Sequence, residues 1–163
     1  NEQFDPSNEK LKFSDFLKFQ QRNQTSKIPF SSPRCWQMVY DAIGNGEKLY
    51  HIGRNIYDGK EGFSCDRECG NVFIQKSADL GYLKAILLYA EHMEKEQKYE
   101  ESASYYLKAA ELGHSYGEFK YGAILLEGRG IPQDKEKGLE YLYKSMKQGS
   151  SEAECLYKKY HNQ

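Results

Sequence analysis

The chain has 163 residues, with 23 Lys and Arg against 24 Asp and Glu, for a formal net charge of -1. That length suits one domain around one continuous core, and the balanced charge offers no broad positive field to phosphate backbones or acidic membranes. No stretch approaches the roughly 18 consecutive apolar residues of a membrane span, so nucleic acid and membrane are both set aside as partners.

In chain order, the first 32 residues differ in character from the rest. Phe13, Phe16, Leu17 and Phe19 predict a helix from about residues 5–7 to about 21, followed by a linker through Asn23, Gln24, Thr25, Ser26 and Lys27 with prolines at Pro29 and Pro33. Ser32-Pro33 suits the start of a helix bearing Trp36.

From there the chain repeats itself, and repeats decide the fold before any motif does. Lys76-Ser77-Ala78-Asp79-Leu80-Gly81, Lys108-Ala109-Ala110-Glu111-Leu112-Gly113 and Lys144-Ser145-Met146-Lys147-Gln148-Gly149 share a Lys, small residues and a closing Gly, and Gly44 falls in the same register. Eight residues before these four glycines stand Trp36, Phe73, Tyr105 and Tyr141. Nine residues after them come Gly53, Ala90, Gly122 and Lys158, three of the four small.

Apolar spacings of three and four residues between the glycine stops predict pairs of amphipathic helices. First helices are expected near 46–57, 82–95 and 114–127, second helices near 66–80, 98–112 and 134–148, and a terminal helix near 151–160. Asp66 and Asp134 stand where N-caps belong. The small residue within each first helix lowers helix propensity, by about 1 kcal/mol for Gly against Ala. Close helix packing offsets that cost, and the aromatic eight residues before the closing Gly is expected to lie against the flat spot.

The resulting map has an N-terminal helix and linker at 1–32 and an all-α helical-repeat domain at 33–163. That domain divides into a half repeat at 33–44, repeats at 45–81, 82–113 and 114–149, and a capping helix at 150–163.

Reactive clusters are scarce. Cys65 and Cys69 lie one helical turn apart, but no second Cys or His pair follows at zinc-site spacing, so no metal is assigned. Cys35, Cys65, Cys69 and Cys155 are too few and too unevenly placed for a disulfide framework, which makes a reducing, cytoplasmic setting the expectation. His51, His92, His114 and His161 form no His-Glu-x-x-His pattern, and Gly128-Arg129-Gly130 lacks the Gly-Lys-Ser or Gly-Lys-Thr of a phosphate loop. No catalytic residue or cofactor is assigned, and the chain is not read as an enzyme.

Residues 117–149 carry a recognisable pattern: Gly117, Tyr121-Gly122, Leu125, Gly128-Arg129-Gly130-Ile131, Asp134, Lys137-Gly138, Tyr141, Lys144-Ser145-Met146 and Gly149. This resembles the Sel-one-like repeat family, relatives of the tetratricopeptide repeat. The copy at 81–113 departs from it, joining its helices through the short Lys95-Glu96-Gln97, and the copy at 44–81 has a longer connection from Gly59 to Cys65.

The resemblance implies a right-handed α-α superhelix, or solenoid, of about three helix pairs, with first helices lining the concave face. It implies a scaffold or adaptor for another protein or peptide, either free-standing or within a larger signalling protein or multi-protein complex. On that face the lane three residues before each small anchor presents Tyr50, Leu87, Phe119 and Cys155, and the lane one residue after it presents Arg54, Glu91, Ala123 and Lys159. Partner contact is assigned to Tyr50, Arg54, Leu87, Glu91, Tyr116 and Phe119, against the alternative that the apolar lane is further interhelical packing. A second function class is a secreted hydrolase or cell-wall-binding protein of the cysteine-rich bacterial type, whose repeats each hold a disulfide. The spacing of the four cysteines here does not follow that pattern.

Overall fold

The structure, a computed structural model, describes residues 38, 39 and 41–161. The helix expected near 5–21, the linker, Cys35 and Trp36 lie outside the described residues. Those described form seven helices, preceded by helical residues at 38, 39, 41 and 42, and no strand.

The described residues divide into two compact units, one running up to Ala85 and the other from Ile86. The first holds α1 (Gly46–Asp58), α2 (Arg67–Asp79) and the opening of α3 (Leu83–Lys95). The second holds the remainder of α3, α4 (Tyr99–Glu111), α5 (Ser115–Glu127), α6 (Lys135–Lys147) and α7 (Ser151–His161). Each helix expected between residues 46 and 160 is present with ends shifted by one residue at most.

Polar caps account for several starts. Asn45 accepts from the Lys48 backbone N–H at 3.0 Å, Asp66 from that of Cys69 at 2.9 Å and Asp134 from that of Lys137 at 3.0 Å. A cap of this kind contributes about 1 kcal/mol by satisfying a donor that the first helical turn leaves free. The closing glycines have φ of +76° at Gly44, +83° at Gly81, +74° at Gly113 and +92° at Gly149. A Cβ at any of the four would meet nothing within 4 Å, so the left-handed backbone and not the available space selects glycine there.

Inside the helix pairs the selection is by space. In unit 1, a Cβ on Gly53 of α1 would stand 2.8 Å from Ile74 Cγ1 and 3.0 Å from the Gly70 carbonyl oxygen of α2; one on Gly70 would stand 2.8 Å from the Gly53 carbonyl oxygen. In unit 2, a Cβ on Gly122 of α5 would stand 2.9 Å from the Gly138 carbonyl oxygen of α6 and 3.1 Å from Leu142 Cγ. The pair α3 and α4 uses one carbon more on each side: Ala90 faces Ser102, whose hydroxyl donates to the Ala90 carbonyl at 2.9 Å. All three pairs therefore cross where two small residues meet.

One expectation is corrected by this geometry. The aromatic eight residues before the closing glycine does not cover the small anchor. The next residue does at both glycine crossings, as Ile74 against Gly53 and Leu142 against Gly122; its counterpart in α4, Tyr106, is likewise 0% exposed, as are Ile74 and Leu142. Successive helical residues point about 100° apart, so a one-residue step moves the contact from the crossing point to its side. The aromatics pack beside it instead: Tyr105 meets Tyr89 at 4.7 Å and Tyr141 meets Tyr121 at 5.1 Å between ring centroids, both edge to face.

Each unit has its own apolar cluster. Unit 1 buries Ala42, Leu49, Ile52, Ile56 and Phe63, with Met38, Val39, Cys69 and Phe73 packed against them. Unit 2 buries Leu126, Leu142 and Ala153, with Phe119, Leu139, Leu156 and Tyr160 among the half-buried side chains around them.

Candidate functional site

The side chains assigned to partner contact fall into separate groups. In unit 1, Tyr50 and Arg54 stand one turn apart on α1 and touch each other, the Arg54 guanidinium donating to the Tyr50 hydroxyl at 3.4 Å. Arg54 also reaches Asp58 at 3.5 Å, and the Tyr50 ring lies 5.4 Å from that of Tyr82. The Arg54 contacts are i, i+4 pairs on a solvent-facing helix surface, with the guanidinium held by an aromatic hydroxyl and a carboxylate from its own helix.

In unit 2, Leu87 and Glu91 come from α3, and Tyr116 and Phe119 from α5. Tyr116 is 39% exposed, and its ring lies 6.3 Å from Phe119 and 6.4 Å from the buried Tyr106. Burial, followed by the charges of Glu91 and Glu94, holds the Tyr116 phenol above its ordinary range, with the charge of Glu152 adding to the effect. Phe119 is half-buried against the Leu126, Leu142 and Ala153 cluster, so its side chain packs between helices as well as lining the face. Leu87 is half-buried.

Beside this face lies a polar cluster that no sequence motif announces. The Glu94 carboxylate, at the end of α3, accepts from the Tyr106 hydroxyl at 3.0 Å, from Lys120 Nζ at 2.7 Å and from Arg129 at 3.4 Å. Arg129 also pairs with Glu127 and lies 5.6 Å over the Tyr99 ring, and Lys120 lies 5.4 Å over Tyr106. One carboxylate thus joins α3, α4, α5 and the loop after α5. Its partners are 12, 26 and 35 residues away, too far apart for local pattern to pair them.

Two carboxylates of unit 2 respond to acid in opposite directions. Burial pushes the Glu94 carboxyl up, but the Lys120 hydrogen bond and charge, with Tyr106 and Arg129, outweigh it and leave the group below its ordinary range. Its stabilising contribution is therefore present above the unfolded carboxylate pKa and is lost as pH falls through the lower folded value. Glu118, buried on α5, is raised: desolvation dominates, and Lys144, the hydrogen bond from Gln148 and His114 pull it back only in part. Its contribution is fullest below the unfolded pKa and is lost as pH rises through the folded value. Glu94→Gln is expected to lower stability at neutral pH and to flatten the loss in acid, whereas Glu118→Gln is expected to raise stability at neutral pH. Urea melts from roughly pH 3 to roughly pH 7 measure both slopes, and parallel curves for the two variants would refute the opposed signs.

The described thiols Cys65, Cys69 and Cys155 are free. Cys65 donates to the Tyr57 carbonyl at 3.3 Å. Cys69 packs against the core of unit 1, where burial first and the Asp66 charge second push its thiol up to about 12, so it stays protonated at neutral pH. Among the described residues no three His, Cys, Asp or Glu side chains gather as a metal set, and no helix is long and apolar enough to cross a membrane.

The family model described as Sel1 repeat matches residues 77–114 and 115–150. Among solved structures the chain is similar to a Sel1 repeat protein from Oxalobacter formigenes, at 24% identity and a TM-score of 0.67, over 76% of this chain and 37% of that one. It is similar to c5321, a protective antigen of uropathogenic Escherichia coli strains with an SLR fold, at 22% identity and a TM-score of 0.63, over 87% of this chain and 31% of that one. It is also similar to Helicobacter pylori cysteine rich protein B, at 16% identity and a TM-score of 0.54, over 71% of this chain and 92% of that one. At these identities the likeness concerns the fold. The chain spans about a third of the length of the first two proteins. No curated protein sequence matches it. Sel1 repeats generally form non-catalytic scaffolds for protein interaction. With helices in consecutive pairs and the family pattern in both matched segments, residues 77–150 form two Sel1 repeats.

Proposed function

We propose that this chain is a protein-interaction module that holds a partner peptide or domain on the exposed faces of its first helices. The carrying observation is the Tyr116 ring, 39% exposed on α5 beside the Phe119 ring. A large aromatic at a solvent-facing position of a helix whose other face is fully packed is the kind of residue that supplies binding energy in an interface. Tyr50 with Arg54 offers unit 1 a comparable pair. Service as an adaptor inside a larger signalling protein, in the cytoplasm, extends this reading.

The test is capture of a partner from cell lysate by the full chain. Tyr116→Ala and Tyr50→Ala, made separately, are expected to leave the helical circular dichroism unchanged and to reduce capture by about tenfold for the face that binds, the scale of one interface anchor. Capture undiminished in both variants would remove these faces from the function.

A further inference from the structure

Unit 2 carries a second aromatic surface, built by α6 and α7 rather than by the α3 and α5 side chains assigned to the partner. The Tyr157 ring of α7 packs half-buried against the Leu126, Leu142 and Ala153 cluster. From it a row of rings runs into solvent: Tyr143 of α6, 42% exposed, lies 6.0 Å away between centroids, and the exposed His161 lies 5.1 Å away. Lys147, one turn after Tyr143, holds its Nζ 4.6 Å from the centroid of the Tyr143 ring. Among the described residues the Tyr143 and Tyr157 hydroxyls have no hydrogen-bond partner, and Lys147 has no carboxylate within ion-pair distance. The carboxylates three residues before each tyrosine are engaged, Glu140 with Lys144 and Glu154 with Lys158. Residues three apart share a helix face, so the row meets solvent as ring area, two phenol hydroxyls and one ammonium, with the adjacent negative charge neutralised.

We propose that this row is a second docking surface whose occupant is an acidic peptide segment of a partner protein. An apolar side chain of the segment covers the Tyr143 ring, and an Asp or Glu carboxylate beside it pairs with the Lys147 ammonium. A ring row anchored on a packed core offers contact area with little side-chain freedom left to lose. The ammonium and the phenol hydroxyls can all donate to a carboxylate, which also brings the opposite charge. A basic segment would meet Lys147 with like charge. A nucleic-acid strand stacks on rings but also needs cations along its backbone; the net charge of the chain is -1, and Lys144 and Lys158 are already paired.

The test is a subtractive selection. A randomised dodecapeptide phage library is first depleted on immobilised Tyr143→Ala, which removes peptides held elsewhere and makes the result independent of the Tyr116 face, and is then selected on the immobilised wild-type chain. The surviving peptides are expected to be richer in Asp and Glu than the input. A synthetic copy of the best one is expected to bind about tenfold more weakly to Tyr143→Ala and about fivefold more weakly to Lys147→Glu, with helical circular dichroism intact in each. Its binding is also expected to weaken with added salt. The proposal is overturned by the absence of any wild-type binder after depletion, by a surviving pool no richer in acidic residues than the input, or by a selected peptide that Lys147→Glu binds as well as the wild type. Displacement of that peptide by an equal concentration of an oligothymidylate dodecamer would assign the row to single-stranded nucleic acid and overturn the proposal as well.

Discussion

Leu142→Ala is expected to destabilise the chain by about 2–5 kcal/mol, the loss typical of a fully buried leucine whose surroundings cannot relax. Leu142 is 0% exposed, stands over the Gly122 crossing, and forms the unit 2 core cluster with Leu126 and Ala153. Truncation removes apolar contact and leaves a void that α5 and α6 cannot close, because their backbones already meet at Gly122 and Gly138. Loss near the upper end of that range would consume much of the stability of an ordinary small domain. Chemical denaturation of the full chain followed by far-ultraviolet circular dichroism measures it. A midpoint shift corresponding to less than about 1 kcal/mol would mean that the helices do collapse onto the vacancy.

The second large effect comes from adding atoms. Gly122→Leu is expected to cost about 1–3 kcal/mol through overpacking. Its Cβ alone would stand 2.9 Å from the Gly138 carbonyl oxygen and 3.1 Å from Leu142 Cγ. The first of these neighbours is main chain and cannot turn aside as a side-chain tip can, so α5 and α6 must separate. Gly122→Ala is expected to cost less, since the α3 and α4 crossing accommodates Ala90 against Ser102. A melting curve for Gly122→Leu that overlays the wild type would show that the two helices are not held at this point.

Much of the fold is legible in the sequence because the signals at helix ends are local. Asp66 and Asp134 cap the helices whose starts they mark, and the four closing glycines all take the left-handed conformation that stops a helix. The small anchors Gly53, Ala90 and Gly122 are legible for the same reason. Their partners Gly70, Ser102 and Gly138 carry a fainter signal, although they recur in the same register, eleven residues before each closing glycine. Spacing alone assigns the anchor contact to Phe73 and Tyr141, one residue short of Ile74 and Leu142, since periodicity finds the buried stripe more readily than the side chain at its centre.

The candidate site is less legible. Spacing places Tyr116 and Glu91 on first helices, but a lane drawn from one helix does not show that Phe119 also packs into the unit 2 core. The Glu94 cluster needs four segments to converge on one carboxylate, which depends on tertiary packing and leaves no local trace.

The small-residue crossings have a consequence for how such a chain can change. At Gly53 with Gly70 and at Gly122 with Gly138, the approach of two main chains sets the helix spacing, and the information that fixes it sits in a few positions with almost no side chain. Residues away from those crossings, such as Glu91 and Tyr116, do not take part in setting that spacing. On the reading proposed above, substitutions there alter what the surface recognises while the framework beneath keeps its dimensions, so one architecture can be readdressed to new partners without being rebuilt.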